Sequence, residues 1–168
     1  SAPEIRIIKG LSTGTTETQN WFVWVAGIGT NNEMILNGTG TPVYTASVMN
    51  QNQSPTSTTF PIGNDARINQ SGKDYIAYCF TSITGYQKIG SYTGTGAVNN
   101  QVNVGFRPRF VMQKRTNSTG SWNIIDNQRG DDNYLSANLS NAEGSMTASS
   151  FHLTDTGFTL DNSFSEWN

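Results

Sequence analysis

The chain has 168 residues, enough for one compact domain or two small ones. Only 13% of them are charged, the net charge is −2 and the pI lies near 5.2, which leaves no basic stripe for nucleic acid or anionic lipid. The single cysteine, Cys79, excludes an intrachain disulfide and a Cys-rich zinc centre, and the longest apolar run, Trp21 to Ala26, is far too short to span a bilayer as a helix.

Taken in order, the chain shows short alternating runs between turn residues and almost no helical period, the pattern of an all-β chain. Strands are expected at Glu4–Lys9, Trp21–Ala26, Glu33–Leu36, Val43–Met49, Tyr75–Phe80, Phe110–Arg115, Trp122–Asp126 and Phe158–Leu160. Asn37-Gly38 suits a tight hairpin because both residues tolerate positive φ. Ser71-Gly72 precedes Tyr75–Phe80, and Thr119-Gly120 separates Phe110–Arg115 from Trp122–Asp126. Tyr75–Phe80 is apolar on both faces, which reads as a central strand covered from two sides. The expected fold is therefore an antiparallel β-sandwich-type architecture.

An internal repeat organises the chain. Residues 2–9 (Ala-Pro-Glu-Ile-Arg-Ile-Ile-Lys) match 107–114 (Arg-Pro-Arg-Phe-Val-Met-Gln-Lys) in pattern. Trp21-Phe22-Val23-Trp24 matches Trp122-Asn123-Ile124-Ile125, and Met34-Ile35-Leu36-Asn37 matches Leu135-Ser136-Ala137-Asn138. Further on, Phe60 to Asn64 matches Phe158 to Asn162, and Ile68-Asn69 matches Trp167-Asn168. A period near a hundred residues means duplicated units rather than a solenoid. We expect a first unit at 1–80, a Gly/Thr-rich connecting segment with a strand at 81–105, and a second unit at 106–168. The second unit stops where the first goes on to Tyr75–Phe80, so its last strand is expected from another polypeptide segment, with Ala2–Lys9 as one apolar donor candidate; the alternatives are that it lies beyond residue 168 or that it is lost without harm.

Three stretches carry a family resemblance: Asp74 to Phe80, Gly85 to Gly96 and Gly105 to Thr116, the last followed by Ser118-Thr119-Gly120-Ser121-Trp122. Together they resemble a domain of unknown function that recurs in tail-fibre-like virion proteins of tailed bacteriophages, especially marine ones. The resemblance implies a virion or filament context and carries over no catalytic residue.

His152 is the one histidine, with Asp155 nearby, but no Gly-x-Ser-x-Gly elbow accompanies it, and it reads as a surface residue. A glycosidase needs two carboxylates a short distance apart. Asp126, Asp131, Asp132 and Glu143 in the second unit, and Glu33 and Asp65 in the first, are the acids available. Asp131-Asp132 follows Gly130 at a polar hairpin tip, where Asp favours turns, with weak calcium binding as the sharper alternative. Trp21 and Trp122 could stack on sugars but share one repeat position and alternate with Val23 and Ile124, which favours core packing. Trp24 and Trp167 face apolar repeat partners, Ile125 and Ile68, and also read as core. Cys79 reads as a buried free thiol, and Lys73, Lys114 and Arg115 as solvated charges. Sequons at Asn37, Asn52, Asn69, Asn117 and Asn138 are candidate glycosylation sites in or beside turns.

The sequence thus points to a non-enzymatic structural protein with no catalytic residues, no cofactor and no metal. Its expected core comprises Trp21, Val23, Tyr75, Ile76, Tyr78, Phe80, Phe110, Trp122, Ile124 and Phe158. The expected partners are copies of itself, as a homo-oligomer or filament outside the cell, with surface glycans as a further partner class. A carbohydrate-binding adhesion module and, further off, a glycan depolymerase are the rival functions. Neither nucleic-acid binding nor membrane insertion is expected.

Overall fold

The structure, a computed structural model, describes every residue except 12–19, 46, 147–149, 162 and 164. It is mostly β, with three antiparallel sheets and a single turn of α-helix among the described residues. None of its helices is long and apolar enough to cross a membrane, among the described residues. The chain divides into two compact units, Ser1–Ser82 and Ile83–Asn168.

The first unit holds β1 (Ile5–Gly10), β2 (Trp21–Val25), β3 (Asn32–Ile35), β4 (Val43–Tyr44), α1 (Ala66–Asn69) and β5 (Tyr75–Phe80). One antiparallel sheet runs in the order β4-β3-β2-β1-β5. Alternation sends Ile8, Phe22 and Trp24 to one face, where with Ile35 and Tyr75 they pack on Val48, Met49, Phe60 and Ile68. That second layer is irregular apart from α1. The strand expected over Val43–Met49 ends at Tyr44, because the chain turns and buries Val48, Met49 and Asn50. The turn is held by the Gly63 N–H on the Val48 carbonyl (2.7 Å) and the Asp65 N–H on the Ser47 carbonyl (3.2 Å). A Cβ at Gly63 would collide with the Ser47 carbonyl, so this approach requires glycine.

The second unit is a two-layer sandwich. One sheet runs β10-β9-β8-β7, from β7 (Phe110–Lys114), β8 (Trp122–Asp126), β9 (Asn133–Ser136) and β10 (Gly144–Ser145). The other runs β11-β12-β6, from β6 (Asn100–Asn103), β11 (Phe151–Thr154) and β12 (Gly157–Leu160). Phe151, Leu153, Phe158 and Leu160 of the second sheet pack with Ile125, and with half-buried Val111 and Tyr134, of the first. Residues 83–105, expected to form a connection, belong to this unit. Besides β6 they supply Tyr92, whose hydroxyl donates to the Trp167 carbonyl (2.6 Å), and Thr95, whose N–H donates to the Asn168 side chain (2.8 Å).

The duplication is visible in strand register. Ile5 pairs with Val25 and Lys9 with Trp21; Phe110 pairs with Asp126 and Lys114 with Trp122. Val23 pairs with Met34, and Ile124 with Leu135. The hydrogen bonds outside the ladders repeat as well. Ala26 donates to Glu4 and Asn127 to Arg109; Thr45 donates to Asn31 and Met146 to Asp132. The units differ where β5 should recur: among the described residues no strand pairs with the outer edge of β7.

Candidate functional site

β5 is an edge strand, not the central strand its two apolar faces suggest. Leu11 N–H donates to the Asp74 carbonyl (2.9 Å) and Glu4 N–H to the Phe80 carbonyl (2.8 Å), so the main-chain groups of even-numbered residues face β1. By alternation those of Tyr75, Ala77 and Cys79 point away from the sheet. No strand meets them among the described residues. Natural edges are usually blunted by charge, proline or a bulge. Tyr75–Phe80 contains no charged residue and no proline.

Side chains on this edge are correspondingly open. Tyr78 is 43% and Phe80 41% exposed, which corrects their expected place in the core. An edge strand has a neighbour on one side only, so half the expected lateral packing is missing. Cys79, expected to be buried, is also exposed. Partial desolvation still pushes its thiol above the usual range, with the nearby Arg6 cation pulling the other way. Tyr78 stacks on Trp21 with ring centroids 6.2 Å apart, and the Lys9 ammonium lies over Trp21 at 5.7 Å. Tyr75 anchors the start of β5: its hydroxyl donates to the Ala66 carbonyl (3.1 Å) and accepts from the Gln70 N–H (2.9 Å).

Of the other core expectations, Val23, Trp122 and Phe158 are buried, while Tyr75, Ile76 and Ile124 are half-buried. Trp21 is half-buried and Trp122 is 3% exposed, so the two equivalent tryptophans differ. The inward residue of β8 is Ile125 rather than Ile124, and Phe110 is 57% exposed because β7 too is an edge. Trp24 and Trp167 are both buried.

Beneath β1 lies a feature that the repeat did not signal. Arg6 is fully buried between Trp24 and Phe60, its guanidinium 4.5 and 5.1 Å from their ring centroids. It donates to the Pro61 carbonyl (2.9 Å) and to the Asn50 side chain, which in turn donates to the Thr30 carbonyl. Burial lowers its pKa to about 10, so it stays charged at neutral pH. The residue in this register in the second unit is Val111.

The carboxylates serve turns and ion pairs. Glu33 is buried against Arg67 (3.0 Å) and accepts from Thr45; burial first, opposed by Arg67, raises its pKa. Asp65 caps α1 and pairs with Arg67 (2.9 Å), whose hydrogen bond holds its carboxyl low. Asp126 accepts from the Gln128 and Arg129 N–H groups, and Glu143 pairs with Arg129 (3.1 Å). Asp131 accepts from the Leu153 N–H and Asp132 from the Ser150 N–H, both at 3.2 Å. His152 lies 3.6 Å from Asp161 and 3.9 Å from Asp131, while Asp155 pairs instead with Arg107. No group of three or more His, Cys, Asp or Glu is placed to hold a metal, among the described residues.

The sequon asparagines are in use as turn residues. Asn37 and Asn138 accept the N–H of Trp21 (2.9 Å) and Trp122 (2.8 Å), and neither Asn37 nor Gly38 adopts positive φ. Asn69 donates to the Gly63 carbonyl, Asn52 accepts from Asn31, and Asn117 accepts from Arg115. Asn37, Asn52, Asn69 and Asn117 are exposed, whereas Asn138 is half-buried.

Over residues 1–168 the sequence matches a domain of unknown function, DUF7483. The chain belongs to the DUF7483 family. Neither a curated protein nor a solved structure matches it.

Proposed function

We propose that this DUF7483 chain is a non-enzymatic structural subunit of an extracellular fibre that assembles from copies of itself. The observation that carries the reading is β5: an edge strand with outward main-chain groups at Tyr75, Ala77 and Cys79 and exposed aromatic rings at Tyr78 and Phe80. Such an edge is a template for another strand, and adding one pairs the backbone and covers the rings together. A chain with only 13% charged residues suits a filament whose contacts must not depend on salt. The resemblance of Asp74–Phe80 and the stretches that follow to tail-fibre-like phage proteins supports a virion appendage as the site of the fibre. Occupation of the acids by caps and ion pairs supports a structural rather than a catalytic role.

Negative-stain electron microscopy of the purified protein tests this. Filaments or regular oligomers are the expected result. Isolated particles at every concentration would remove the reading, and retention on an immobilised glycan by such particles would favour the adhesion alternative.

A further inference from the structure

The turn after β3 carries a chemical difference between the two repeats that the fold does not require. Asn37 and Asn138 bond alike to the second strand of their units, and the residue after each closes the same turn. The Gly38 N–H donates to the Ile35 carbonyl and the Leu139 N–H to the Ser136 carbonyl, both at 3.1 Å. The second unit thus holds a leucine at this position, 46% exposed. The first unit holds a glycine without a backbone reason, since Gly38 has no positive φ. There is no steric reason either: a Cβ on Gly38 would meet nothing nearer than the Ile35 side chain at 3.5 Å, an ordinary contact. Asn37-Gly38 is the one Asn-Gly pair in the chain. What glycine changes here is access to its own nitrogen, because no side chain shields it from the neighbouring Asn37 amide.

We propose that Asn37 is a self-modifying site, which cyclises onto Gly38 and reopens with water as aspartate or isoaspartate. The Gly38 nitrogen attacks the Asn37 side-chain carbonyl carbon and a C–N bond forms. The side-chain nitrogen leaves as ammonia, taking the proton that Gly38 gives up. Water then opens the cyclic imide. Cleavage at the side-chain carbonyl returns an ordinary backbone bearing aspartate, whereas cleavage at the main-chain carbonyl leaves isoaspartate, with an extra carbon in the backbone. The folded turn gates this step. Asn37 Oδ1 accepts from the Trp21 N–H (2.9 Å), Asn37 Nδ2 donates to the Asn20 side chain (3.1 Å), and the Gly38 N–H is engaged by Ile35. These bonds hold the reacting atoms apart, so the reaction runs through local opening of a turn whose Asn37 is exposed. Either product loses the donor to Asn20. Isoaspartate also displaces the acceptor that holds Trp21, the ring on which Tyr78 stacks.

Peptide mapping by mass spectrometry tests this on the full folded chain, incubated at mildly alkaline pH and sampled over time. The peptide holding Asn37 should gain the mass of an amide-to-acid change and split into an aspartate and an isoaspartate form on the column. The peptide holding Asn138, which makes the same cap bond but precedes leucine, serves as the internal control and should keep its amide. Gly38→Ala should lose the conversion while melting no lower than the parent, since alanine fits the position. Asn20→Ala removes one bond of the gate and should speed the conversion about fivefold, the factor that one net hydrogen bond is worth. An Asn37 that converts no faster than Asn138, or a Gly38→Ala chain that melts well below the parent, would overturn the inference. Conversion at the parent's rate in Asn20→Ala would overturn the gate.

Discussion

The side-chain oxygen of Asn37 accepts the main-chain N–H of Trp21 at 2.9 Å, closing the strand that Trp21 opens. Asn138 makes the same bond to Trp122 at 2.8 Å. Each asparagine thus fixes the entry of one repeat's second strand. Replacing either by Ala should lower stability by about 1 kcal/mol, the net worth of one such hydrogen bond. Urea unfolding of the two single variants checks this, and a midpoint unchanged in both would show the caps to be dispensable.

The same pair of strands predicts an asymmetry. Trp122 is 3% exposed, and its loss to Ala should cost about 3–5 kcal/mol. Trp21 is half-buried and leans on Tyr78, so Trp21→Ala should cost only about 1–2 kcal/mol. Equal losses in thermal or urea unfolding would contradict the difference in burial.

Among the described residues Arg6 is a structural cation without a carboxylate partner in its hydrogen bonds, held by carbonyl and amide oxygens and by two rings. Arg6→Ala should destabilise the first unit by about 3 kcal/mol, through two charge-assisted hydrogen bonds and lost packing. Arg6→Met should recover part of that loss, since the second unit places Val111 in this register. A Met variant no better than Ala would mean that the charge, rather than the volume, holds the site together.

Glu33 gives a pH signature. Its folded pKa is raised above 4.5 by burial, and its second oxygen finds no hydrogen-bond donor among the described residues. In the window just above pH 4.5 the folded chain binds more proton than the unfolded one, so this group's contribution falls as pH rises through its folded pKa. Asp65 acts oppositely and lower: its depressed pKa adds stability that is lost as pH falls below 3.8. Glu33→Gln should therefore flatten the decline between pH 4.5 and neutrality while leaving the acid limb in place. An unchanged slope in urea midpoints across that range would refute the assignment.

The repeat was legible because aligned aromatic and apolar positions fix strand register. Trp21 with Trp122 and Met34 with Leu135 fall into equivalent ladder positions. Strands β9 and β10 are not legible because they are short and carry Asn, Ser and Gly, residues that read as turns; β6 is expected only as an unplaced strand within 81–105, and β11, Phe151–Thr154, is hidden by the Ser/Thr-rich sequence before it. Tyr75–Phe80 reads as a strand in the sequence, but its place in the sheet is not legible there. Apolar faces on both sides describe a buried centre and an unguarded edge alike, and only the pairing partners distinguish them. The burial of Arg6 is hidden for a related reason: one cation between isoleucines reads as solvated until Trp24, Phe60 and Asn50 are brought around it.

The most direct test of the central claim, assembly through the free edge of β5, is sedimentation velocity of the wild type beside Ala77→Pro. The Ala77 N–H points away from β1, so proline there removes no bond within the sheet while blocking the edge. The wild type should sediment as a concentration-dependent series of multimers, and Ala77→Pro as a folded monomer whose melting temperature nearly matches that of the parent. A wild type that stays monomeric, or an Ala77→Pro chain that assembles like it, would contradict the account.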